Sequence, residues 1–73
     1  MRDPLGNAYL VEASRPHPLD YTVRVKTLAR AREAAAQESA KGRAWLIRRA
    51  GATLEDRSGA VVEEWQHGRR ISP

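Results

Sequence analysis

Cysteine is absent from this chain. That removes a disulfide framework and any thiolate metal site, and it fits a reducing compartment, so the cytoplasm is the expected location. Aromatic residues are few: Tyr9, Tyr21, Trp45 and Trp65. Base stacking needs aromatic platforms, and these four rings are expected mostly in the core. No apolar run approaches the roughly 20 residues that span a bilayer, and no basic segment followed by an apolar one opens the chain. Membrane insertion and secretion are therefore not expected. The glycines are scattered at positions 6, 42, 51, 59 and 68, which is not the pattern of a phosphate-cradling loop.

Chemistry-bearing patterns are equally scarce. His17 lies between two prolines and His67 follows Trp65-Gln66, neither with a histidine four residues away or a cysteine to share a metal. Ser58 near Asp56 fits turn chemistry, with no histidine at a motif spacing. Glu63 and Glu64 point to opposite faces of a strand and diverge by about 100° on a helix, so they cannot work as a pair. A chain of 73 residues also has little room for a pocket of roughly 300 Å³ or more. No catalytic residue, metal site or cofactor is assigned, and a non-enzymatic protein is expected.

What is present is one segment that nearly dictates its own structure. Thr27 to Gly42 reads as a helix, with Thr27 as N-cap and Gly42 in the left-handed position beyond the C-terminus. Strong helix formers fill the interval. Leu28, Ala31, Ala35 and Ser39 share one face at about 100° per residue, with Arg30, Glu33, Gln37 and Lys41 opposite. Arg32 projects near the apolar stripe; its methylenes are expected along the edge, with the guanidinium in water. A stripe made almost wholly of alanine must lie close on larger side chains from elsewhere.

Strands supply them. Ala8–Ser14 reads as a first strand, with Tyr9 and Val11 facing one way and Leu10 the other. After the proline loop Arg15–Asp20, Tyr21–Lys26 alternates apolar Tyr21, Val23 and Val25 with Thr22, Arg24 and Lys26. These two strands are expected to pair antiparallel. Ala44–Arg49 carries large apolar residues on both faces, which suits a central strand. Thr53–His67 reads either as a hairpin around Asp56-Arg57-Ser58-Gly59 or as a helix capped by Thr53. The hairpin is preferred, because Gly59 and Val61-Val62 disfavour a helix. The expected fold is α+β over a single domain, 1–73: strand, strand, helix, strand and hairpin strands, an antiparallel sheet with one helix on one face. Residues 1–7 and 68–73 are expected as flexible ends.

Charge points to a partner. Eight basic residues stand against Glu33 and Glu38 between Arg24 and Arg49, a local +6, whereas Ala50–His67 carries −3. Arginine outnumbers lysine eleven to two. The residues expected to meet a partner are Arg24, Lys26, Leu46 and Arg48 on the sheet face away from the helix, with Arg69 and Arg70 in the tail. Arginine with aromatic anchors is what protein interfaces favour, so a small protein-binding module (a regulator, inhibitor or assembly factor) is the leading expectation. A nucleic-acid binder touching phosphate with the same residues is the alternative. A thin helix, a small core and unpaired strand edges make a homodimer a further expectation.

Overall fold

A computed structural model describes residues 6–50 and 59–72. They form β1 (Tyr9–Ala13), β2 (Val23–Val25), α1 (Leu28–Ser39), β3 (Trp45–Arg49), β4 (Val61–Gln66) and β5 (Arg69–Ser72). The strands make one antiparallel sheet in the order β2-β1-β3-β4-β5, and α1 packs on one of its faces. This is the α+β arrangement the alternation of periods predicts.

The helix is held at both ends as its sequence implies. The Thr27 side chain accepts from the Arg30 N–H at 3.2 Å, satisfying one orphan donor of the first turn. Beyond Ser39 and the C-cap Ala40, Gly42 takes a φ of +103°, where a side chain would be strained, and its N–H donates to the Ser39 carbonyl. Ala31 and Ala35 are fully buried against Val11, Ala13, Trp45 and Ile47, with Tyr9, Val23, Val25, Leu28, Val62 and Trp65 around them. Only a methyl group fits where the helix lies this close to the sheet. An Ala35→Leu variant should therefore overpack the contact and cost about 1–3 kcal/mol, read as a lowered thermal midpoint; a midpoint equal to the wild type would refute the tight docking.

Two expectations need correction. Tyr21 does not join the core. It is 55% exposed, β2 begins only at Val23, and its ring lies at the edge of Trp45 with centroids 5.8 Å apart. Its hydroxyl donates to Glu38 on the helix, so the ring straps the outside of the helix–sheet junction. Nor is the end of the chain loose as a whole, because Arg69–Ser72 form β5 against β4. The turn between them is His67-Gly68, with φ of +55° and +75°, the signature of a tight two-residue hairpin. Of the preferred hairpin over Thr53–His67, the second strand is present as Val61–Gln66. β4 pairs with β3 and β5, while the expected strand TLED and most of its turn lie outside the described residues, as do residues 1–5 and 73.

The β4–β5 turn is also fastened to the helix. Ser39, the one polar residue on the buried stripe, is fully buried and its hydroxyl accepts from the Gly68 N–H at 3.1 Å. The Gln66 amide donates to the Gly42 carbonyl at 3.0 Å. A residue that looks weak by helix propensity is thus a docking point for the last hairpin.

Candidate functional site

Two polar systems lie on opposite sides of the sheet. On the helix side, Ile47 stands opposite Glu63 in the β3–β4 register. That places a carboxylate at a core position, where Glu63 is only 3% exposed. A buried carboxylate demands donors, and four reach it. Arg32 gives Nε at 3.0 Å and a terminal nitrogen at 2.5 Å, both to Oε2; the Trp65 indole donates to Oε1 at 3.0 Å; and Arg70 approaches at 3.3 Å. Arg32 above all holds the Glu63 carboxyl below its ordinary range, against the opposing effect of burial. Arg32 stays partly in water, its side chain 45% exposed, but the expectation of a guanidinium simply in solvent is corrected, since it grips Glu63. The only signal in the sequence was that Arg32 projects near the apolar stripe; the strand register that brings Glu63 beneath it is long-range.

The other face holds the residues singled out from sequence. The register sets Arg24, Leu10 and Arg48 in one cross-strand row and Glu12, Leu46 and Glu64 in the next. Arg24, Leu46 and Arg48 therefore share a face, although β1 stands between β2 and β3 and supplies Leu10 and Glu12 to it. Both of those are buried, at 2% and 5%. Arg48 donates from Nε to Glu12 at 2.9 Å and from a terminal nitrogen to the Gly59 carbonyl at 3.0 Å. It is therefore not a freely solvated charge, and reversing it would strand a buried carboxylate. The face is mixed in sign rather than uniformly basic.

The remaining basic positions disperse. Lys26 is exposed just beyond β2. Arg69 is exposed on the edge strand β5, whereas Arg70 is turned to Glu63 on the helix side. Arg24, Lys26, Arg69 and Arg70 lie in or beside the two edge strands, and positive charge there opposes edge-to-edge pairing of two copies.

At the end of the same face, where β1 and β3 part, lies an open cavity of about 390 Å³, lined among the described residues by Ser14, Arg15, Arg43, Ala44 and Glu64. Its wall is rigid. Arg43 donates to both Asp20 oxygens, at 2.8 and 2.5 Å, and to the Arg15 carbonyl at 2.9 Å, closing the Arg15–Asp20 loop. Arg43, with the His17 N–H second, pulls the Asp20 carboxyl down to about 2. Within that loop Asp20 N–H returns to the His17 carbonyl, and Leu19 stands 91% exposed at the tip. Neither Arg15, Arg43 nor Glu64 is marked by any sequence motif; register and loop closure bring them together.

Among the described residues no group of three or more histidine, aspartate or glutamate side chains could hold a metal, and no helix is long and apolar enough to cross a membrane. The chain matches no family model, no curated protein and no solved structure.

Proposed function

We propose that this chain is a small non-enzymatic protein-binding module of the cytoplasm that meets its partner through the sheet face opposite the helix. The observation that supports this reading is Leu46, half-buried on the central strand between Glu12 and Glu64, with Arg48 two residues along the same strand and Arg24 beyond β1 on the same face. An apolar spot ringed by both signs of charge suits another protein, because it gives contact area and a fixed orientation. A phosphate backbone laid across this face would instead meet the Glu64 carboxylate beside Leu46, which weakens the nucleic-acid alternative. Presentation on a sheet lowers the ordering cost of binding.

The test is isolation of the native complex with and without nuclease, followed by point variants of the tagged chain. Leu46→Ala and Lys26→Glu should each weaken a nuclease-resistant complex, with Leu46→Ala the larger effect. Loss on nuclease treatment, together with affinity that collapses as salt rises, would assign the arginines to phosphate instead. If Leu46→Ala binds as wild type while Arg69→Glu abolishes the complex, the interface is the β5 edge and the sheet-face reading is wrong.

A further inference from the structure

The cavity beside Ser14 contains an unusual pair of charges. Glu64 is half-buried, and its carboxylate has no hydrogen bond or ion pair among the described residues. Arg15 lines the same space with an exposed guanidinium whose side chain is equally uncommitted. The two do not pair with one another. Elsewhere in the molecule acid and base find each other across elements: Arg32 with Glu63, Arg43 with Asp20, Arg48 with Glu12. Here the intervening space keeps them apart, and it is the space itself that can be filled.

We propose that this cavity binds a small dipolar ion, an amino-carboxylate whose ammonium group meets Glu64 and whose carboxylate meets Arg15. Each end then forms a charge-assisted hydrogen bond with a group that has no such partner among the described residues. A guanidinium fork fits a carboxylate, and a carboxylate accepts readily from an ammonium. A volume of about 390 Å³ lies within the range of small-molecule sites. The Ser14 hydroxyl adds a further polar contact and Ala44 an apolar bed. Arg43, already occupied by Asp20 and the Arg15 carbonyl, fixes the wall, so the ligand need not order the Arg15–Asp20 loop on binding. Because the two charges are held apart, the site should select the distance between ammonium and carboxylate. That selectivity separates it from nonspecific salt effects.

The experiment titrates the full chain with glycine, β-alanine, γ-aminobutyrate and ε-aminocaproate while following backbone amide signals. One length should bind best, with a dissociation constant of about 1–10 mM, and the saturable shifts should centre on Ser14, Arg15, Ala44 and Glu64. N-acetylation or methyl esterification of that ligand should each weaken it about tenfold or more, as should Glu64→Gln and Arg15→Gln. Among the described residues neither side chain has a hydrogen-bond or ion-pair partner, so the variants should keep the wild-type fold, which their amide spectra verify. The proposal fails if no member of the series gives saturable shifts below about 50 mM. It also fails if the capped ligands bind as well as the parent, or if both variants bind like the wild type.

Discussion

Replacing Ile47 by alanine should cost about 2–5 kcal/mol, a large share of everything that holds this domain together. Ile47 is fully buried at the centre of β3, the middle strand of five. It stands opposite Val11 on one side and Glu63 on the other, under the helix stripe of Ala31 and Ala35. Large-to-small changes are worst where the surroundings cannot relax into the void. Here the overlying residues are alanines, with no rotamers to swing inward, and the neighbouring strands are fixed by the sheet. A domain of this length has about 4–11 kcal/mol of stability in total. The urea midpoint should therefore fall by about 1 M or more at unchanged slope. A midpoint within about 0.3 M of the wild type would mean that the helix settles onto the gap, contrary to the packing described.

The second large effect is expected at Glu63. Glu63→Gln keeps the shape but turns an amide towards donors, leaving the Arg32 fork and the Trp65 indole to share one oxygen. Hydrogen bonds to charged groups contribute about 1.5–3 kcal/mol, so a loss near 2 kcal/mol and a fall of about 8–16 °C in the melting temperature are expected. The same carboxyl gives the domain an acid limb. Its folded-state pKa is lowered from 4.5, so the unfolded chain takes up the proton first. The stabilisation is complete above that unfolded value and drains away as pH falls below it. Asp20, lowered from 3.8 to about 2, acts in the same direction and lower on the scale. The wild-type melting temperature should thus decline steadily from about pH 4.5 towards pH 2. Glu63→Gln should start lower and decline less. A wild-type profile that stays flat through that interval would show that neither carboxylate is linked to folding.

Much of the architecture was written in local residues. Thr27, the alanine stripe and Gly42 specify the helix, and the alternation of Val23 and Val25 with Thr22, Arg24 and Lys26 specifies a strand with one apolar face. Large side chains on both sides of β3 announced its central place. The failures have a common cause, which is that they concern long-range register. Nothing near Arg32 in sequence says that Glu63 will stand beneath it, and nothing near Arg48 says that Glu12 is one diagonal away. The His67-Gly68 turn was hidden differently. Basic, polar residues around it resemble a solvated tail, and only two successive positive φ angles, with Gly68 hydrogen-bonded to Ser39, make it a hairpin. The dipolar cavity was invisible for the same reason as the ion pairs: its walls come from residues 14–15, 43–44 and 64, joined only by the sheet.

The position of β1 has a consequence for how the chain is made. It is the earliest strand described, yet it lies between β2 and β3 and needs both as neighbours. During synthesis β1, β2 and α1 can assemble as a hairpin capped by the helix, with one long side of β1 bare. Val11 then waits for Ile47 and Leu10 for Arg48, partners more than thirty positions downstream. At typical translation rates of about 5–20 residues per second, that exposed edge persists for seconds. The nascent half-sheet is accordingly the form of this protein most open to capture by chaperones or by another unfinished copy.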